Sequence, residues 1–239
     1  MENANWVIST QNLLLLIGVV LWHLPKKDRA GATFKLPLWK LKWWDGAFYL
    51  LLLALGMATN LGSVLLPCIA FFVFREIYQA KYDAPLNTRT MSIGAIGQSA
   101  VVNFLCHWPI LFLVYWISST LLYNAEPQKS IEVLRSGSWE KQFEIALLAL
   151  LIAPVTEELF FRAILYRVFK SLLSAGPAMV LTSFAFAAVH QNLFAFAPLF
   201  TLSFFLILVY ERTGNLAVPI LYHALFNSLT VIFVIWGNA

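Results

Sequence analysis

The stretch Thr156-Glu157-Glu158-Leu159-Phe160-Phe161-Arg162 sets two carboxylates and a guanidinium inside an apolar run. An acidic side chain at the centre of a membrane helix costs about 2.5–3.5 kcal/mol on insertion scales, and such residues face a bundle interior or a water-filled cavity. Adjacent helical positions point about 100° apart, so Glu157 and Glu158 cannot do the same job. Glu158 and Arg162 stand four apart with the acid N-terminal, the favoured order for a helical ion pair. That pairing leaves Glu157 as the free base. His190 closes the run Phe186-Ala187-Ala188-Val189, with Phe186 on the same face and alanines that let another helix approach closely. His223 and Asn227 are again four apart on one face, and together they can aim two hydrogen bonds at a developing oxyanion. Taken singly, each has a plain structural reading: a charge network that locks helices, a polar cap, or interhelical hydrogen bonds worth about 0.6 kcal/mol on average. Their occurrence on successive apolar segments favours a hydrolytic site.

Other protease signatures are weak or missing. No His-Glu-x-x-His zinc helix and no Gly-x-Gly-Asp motif occur. Gly97-Gln98-Ser99-Ala100 only loosely resembles a serine-nucleophile turn, and Cys106 beside His107 is poor geometry for a thiolate–imidazole pair. His23 and His107 read as interfacial residues, Arg167 and Lys170 as interfacial anchors.

The elements that must position these groups are membrane helices. Of 239 residues, 60% are hydrophobic and 12% charged, with mean hydropathy +0.75. Soluble domains carry about 25% charged residues, so too little polar surface is present for a water-soluble fold. Lipid demands internal pairing of all backbone groups, and the apolar runs are unbroken rather than alternating, which predicts helices. The net charge of +4 lies in clusters between apolar runs and marks topology, not nucleic-acid binding. Cys68 and Cys106 fall in apolar segments as small buried hydrophobes.

The fold expected is all-α: a polytopic transmembrane bundle of about eight helices enclosing a polar cavity, a single domain over 1–239. The first span runs from about Trp6 to Leu24 and reads as a retained helix, not a signal peptide. Two short helices share the region from Gly46 to about Tyr78. The run from Met91 to Tyr123 forms one tilted span interrupted at Pro109. A solvated loop from Asn124 to Lys141 closes the N-terminal part, 1–141. Residues 142–236 form a catalytic four-helix core: Gln142 to Lys170, Gly176 to His190, Leu193 to Tyr210 and Leu216 to Trp236, with turns at Ala175-Gly176-Pro177 and Thr213-Gly214-Asn215. The basic loop at 26–42 places that loop in the cytoplasm and both termini outside.

Glu-Glu-x-x-x-Arg at 157–162, Phe-x-x-x-His at 186–190 and His-x-x-x-Asn at 223–227, in this order, resemble the CAAX prenyl protease and bacteriocin-processing (CPBP, or Abi) family over about 142–236. The turn Thr213-Gly214-Asn215 is similar as well. The resemblance implies a glutamic-type intramembrane endopeptidase in which Glu157 and His190 activate water, His223 and Asn227 bind the oxyanion, and Glu158, Arg162 and Phe186 support the site. No cofactor is expected. A divalent metal on Glu157, His190 and His223 is the less favoured alternative, because a catalytic zinc usually has three protein ligands held by outer hydrogen-bond partners. The expected partners are membrane lipids and a membrane-associated protein or peptide substrate, with no nucleic acid, in a bacterial or archaeal cytoplasmic membrane. Two rival readings are a non-catalytic scaffold or bacteriocin-immunity protein of the same fold, and a transporter with a proton relay. The transporter needs a second acidic partner in the first half, where only Asp45 and Glu76 are in view.

Overall fold

The computed structural model describes residues 36, 47, 51, 86–122 and 128–237. Among these residues the fold is all-helical, with six helices: α1 (Ile93–Leu121), α2 (Lys129–Ser136), α3 (139–172), α4 (Ala175–Val189), α5 (Leu193–Thr213) and α6 (Ala217–Trp236). The six include the run with Pro109, the four helices of the C-terminal core and a short helix in place of a loop, so the described count is six and not eight. The expected first span, the helix pair in 46–78, His23, Asp45, Cys68, Glu76 and the basic loop (apart from Leu36) lie outside the described residues.

Helices α1, α5 and α6 are long and apolar enough to cross a membrane, and α4 is a shorter apolar helix. Large apolar side chains stand exposed along them, among them Leu105 and Phe112 on α1, Phe184 on α4 and Phe233 on α6, which suits a lipid-facing surface. The chain is a membrane protein. Ser92 starts α1, its hydroxyl accepting from the Ala95 N–H at 3.3 Å. The helix then runs through Pro109 without a break; neighbouring membrane helices tolerate a proline that would end a solvated helix.

Residues 124–141, expected as a solvated loop, contain α2. Its Leu134 is buried, while Glu132 and Arg135 are exposed, and Gln142 Nε2 donates to the Leu134 carbonyl at 3.0 Å. The segment packs against α3 and α6, which gives its apolar side chains a surface to cover.

Helix α3 departs from regular α geometry twice, with π-helical turns at Leu148–Ile152 and Leu159–Tyr166. Such turns mark places where a helix is re-aimed, often at functional sites. The second begins directly after Glu158 and buries all of 160–166. Helix α5 is the hub, buried at Leu202, Leu206, Ile207, Val209 and Tyr210. His107 of α1, expected at an interface, is instead fully buried. Its ring stacks on Phe205 at 4.1 Å, and Nδ1 lies 3.2 Å from the Tyr222 hydroxyl.

Gly214 ends α5 with φ +64°, a left-handed cap that favours glycine. The turn it opens is docked from outside: the Thr88 and Arg89 amides donate to the Gly214 carbonyl at 2.8 and 3.2 Å. Asn215 Nδ2 donates to the Arg89 carbonyl at 3.1 Å, and its Oδ1 accepts from the Ala217 N–H at 3.0 Å, capping α6. The polar turn is thus a structural joint between the segment before α1 and the last hairpin.

Candidate active site

Glu158 lies on the buried face of α3 and is fully buried, as is Arg162 one turn on. The two form an ion pair at 2.9 Å through Glu158 Oε1 and Arg162 Nη1, the partnership their spacing predicts. The guanidinium also lies 4.5 Å from the centre of the Phe186 ring, a cation–π contact that supports a desolvated charge. Glu158 Oε1 has a second partner that spacing could not reveal, His223 Nδ1 of α6 at 2.9 Å. With Glu158 ionised, Nδ1 carries the hydrogen and donates it, which turns Nε2 outward.

Nε2 of His223 faces Glu157, 4.0 Å from Oε2. Glu157 is the more open of the two acids, its side chain 23% exposed, yet Oε2 itself is buried and makes no hydrogen bond. One acid is locked and its neighbour free. The imidazole between them links both.

Phe186 is the centre of the arrangement. Buried on α4, it lies 5.0 Å from the His190 ring and 5.9 Å from the His223 ring. It also meets Phe161 edge-on at 5.0 Å. His190 caps the C-terminus of α4, where Nδ1–H donates to the Phe186 carbonyl at 2.7 Å. That bond consumes one of the carbonyls a helix end leaves unpaired and fixes the tautomer, so the neutral ring presents Nε2 as an acceptor. Gln191 then takes φ 49° to turn the chain into α5.

Asn227 lies one turn beyond His223. Its Nδ2 donates to the Ala149 carbonyl, 2.8 Å away, in the first π turn of α3. An amide nitrogen has two hydrogens, so one remains for another acceptor. Arg162, His190 and His223 are therefore brought around the Phe186 ring; Glu158 is bound to Arg162 and His223, Glu157 lies beside His223, and Asn227 is tied to the same helix as the acids.

Among the described residues no three His, Cys, Asp or Glu side chains form a group able to hold a metal ion. The alternative set Glu157, His190 and His223 is not gathered as such a group.

Sequence reasoning missed a second polar cluster. Arg167 and Lys170, expected as interfacial anchors, are buried. Lys170 Nζ pairs with Glu211 Oε1 of α5 at 2.6 Å, and the Tyr166 hydroxyl donates to the same oxygen at 2.6 Å. Glu211 Oε2 accepts from the Leu36 N–H at 3.1 Å, while Lys170 donates to the Leu36 carbonyl at 2.8 Å. The only available signal was Glu211 itself, an acid near the end of an apolar run.

Residues 139–229 match the family model "Rce1-like: Type II CAAX prenyl endopeptidase Rce1-like", a span that contains every site residue from Glu157 to Asn227. The match agrees with the resemblance carried by the three motifs. The UPF0177 protein YaiF of Lactococcus lactis subsp. lactis (strain IL1403) is 33% identical over 131 residues, which is 51% of this chain and 56% of its own. An uncharacterized 24.3 kDa protein of Escherichia coli is 29% identical over 125 residues, 50% of this chain and 57% of its own. The chain spans about half the length of the curated relatives it matches. No solved structure matches.

Proposed function

Because residues 139–229 match the Rce1-like, type II CAAX prenyl endopeptidase family model, we propose that the chain is an intramembrane endopeptidase. It hydrolyses a peptide bond in a membrane-anchored, lipidated or exported substrate, using water activated by side chains rather than by a metal. The observation that carries this reading is the asymmetric acid pair: Glu158 held by Arg162 and His223, Glu157 left without a hydrogen bond 4.0 Å from His223 Nε2.

Glu157 is the general base and His190 its partner. The bond from His190 Nδ1 to the Phe186 carbonyl leaves Nε2 to accept a water proton. A water in the gap between Glu157 Oε2 and His223 Nε2 would be within reach of both; polar atoms beyond hydrogen-bond distance are commonly bridged this way. Loss of its proton to Glu157 yields the hydroxide that attacks the scissile carbonyl, and the carboxyl then protonates the leaving amine.

Asn227 donates its second Nδ2 hydrogen to the oxyanion. His223 can donate from Nε2 only as an imidazolium, since its other N–H is committed to Glu158. Glu158 therefore acts by orienting His223, and Arg162 balances the charge. A polar cavity open to one side of the bundle admits water and substrate.

The test is cleavage by purified protein of quenched peptides carrying a membrane anchor, prenylated or transmembrane, with and without chelator. Glu157→Ala and His190→Ala should each lower kcat by about 10²–10⁴, the range for a general base, and chelator should leave the rate unchanged. Cleavage by both variants at the rate of the unsubstituted protein would remove the protease reading and leave a scaffold or immunity role. A chelator-sensitive rate restored by one metal would overturn the metal-free mechanism.

A further inference from the structure

The hydrogen bond that holds Asn227 has a cause in the sequence of α3. In the first π turn the Ala153 N–H reaches back five residues to the Leu148 carbonyl. In the same register the next N–H, from residue 154, would take the Ala149 carbonyl. Residue 154 is Pro, which has no N–H to give. The Ala149 carbonyl therefore has no partner within the helix, and an unpaired backbone carbonyl in a bundle must find one elsewhere. Asn227 Nδ2 is that partner, at 2.8 Å.

We propose that Pro154 is a positioning residue: by removing one N–H from the π turn it exposes the Ala149 carbonyl, which anchors the Asn227 amide for oxyanion binding. The anchoring is a statement about structure. Its catalytic consequence rests on the endopeptidase reading. Pro154 lies three residues before Glu157, so one short segment carries both the base and the device that aims the oxyanion donor. An Asn side chain free to rotate would also turn its carbonyl oxygen, an acceptor that repels an oxyanion, toward the site. With one N–H tied to Ala149, the other nitrogen hydrogen is the group presented.

Pro154→Ala restores an N–H in the same register, and that N–H competes with Asn227 for the Ala149 carbonyl. A thermodynamic cycle of Pro154→Ala and Asn227→Ala, read as thermal midpoints in detergent, tests the anchor without any need for a substrate. With Pro154 present, Asn227→Ala leaves the Ala149 carbonyl unpaired and should lower the midpoint by about 2–4 °C. In the Pro154→Ala protein the same substitution should shift it by under about 1 °C, since the backbone has taken the carbonyl. Equal shifts in the two backgrounds would overturn the proposal.

Kinetics on an internally quenched prenylated peptide supply the catalytic half. Pro154→Ala should raise or keep the midpoint yet lower kcat about tenfold with KM unchanged, and adding Asn227→Ala should cause little further loss. An unchanged kcat in Pro154→Ala overturns the catalytic role. Absence of cleavage by the unsubstituted protein counts against the endopeptidase reading alone, while the midpoint cycle still decides the anchor.

Discussion

Two neighbouring glutamates acquire different chemistry because the helix turns between them. Glu158 points into a guanidinium and an imidazole, and Glu157 into a more open space. Stability and chemistry should then separate by residue. Arg162→Met removes the cation beside a fully buried carboxylate, and breaking such a pair typically costs 3–5 kcal/mol; thermal unfolding in detergent should show a large fall in midpoint. Replacing both partners, as Glu158→Gln with Arg162→Met, should recover much of that loss, since no buried charge is left unpaired. A double variant as unstable as Arg162→Met would show that the packing on Phe186, and not the charge, is what the arginine supplies. His223→Gln should lower kcat by about 10²–10³, the range for one oxyanion donor, while KM stays close to its starting value. A loss confined to KM would place His223 in substrate binding instead.

At the scale of elements, irregularities carry the site. Helix α3 changes pitch on both sides of the acids, α4 ends where His190 can cap its own helix, and α5 ends on a left-handed glycine. A Cβ at Gly214 would run into the Thr88 side chain, and the left-handed conformation itself costs an L-residue about 1–2 kcal/mol. Gly214→Ala should therefore lower the unfolding midpoint by several degrees and increase proteolysis within 86–90, read by limited digestion and mass spectrometry. An unchanged digestion pattern would mean that the segment is held without this turn. Unbroken apolar runs and the polar turns between them made the four C-terminal helices legible from the chain alone. They did not show α2, because its apolar positions, Ile131, Val133 and Leu134, are few and set among charges. They also could not show that α1 continues through Pro109, since the tolerance comes from neighbouring helices.

Across the whole molecule, the site in the middle of α3 is followed by a second buried polar cluster near the helix's C-terminal end. Lys170, Tyr166 and Glu211 join α3 to α5 and clasp both backbone groups of Leu36. This ties a residue of the N-terminal part to the helix that bears the acids. Tyr166→Phe removes one hydrogen bond to a charged group, worth about 1.5–3 kcal/mol, without changing charge. The expected result is a lower midpoint and, since the acids are about two turns away along α3, a kcat within about twofold of the starting value. A large loss of kcat would show that the cluster is coupled to the site.

Composition alone determined that this protein lives in a membrane as helices, because 12% charge cannot cover a water-soluble surface. Spacing alone determined that Glu158 pairs with Arg162 and that Phe186 shares a face with His190, as His223 does with Asn227, because four residues make about one turn in any helix. The tertiary structure decided the rest. It assigned His223 to Glu158 across 65 residues, Asn227 to the Ala149 carbonyl across 78, and Lys170 to Glu211 rather than to the interface. Those partnerships depend on which helices pack together and how far each is rotated, and no local period encodes either. Even so, the cause of one of them was in plain view: a proline three residues before the acid pair, whose missing N–H leaves a carbonyl that only a neighbouring helix can satisfy.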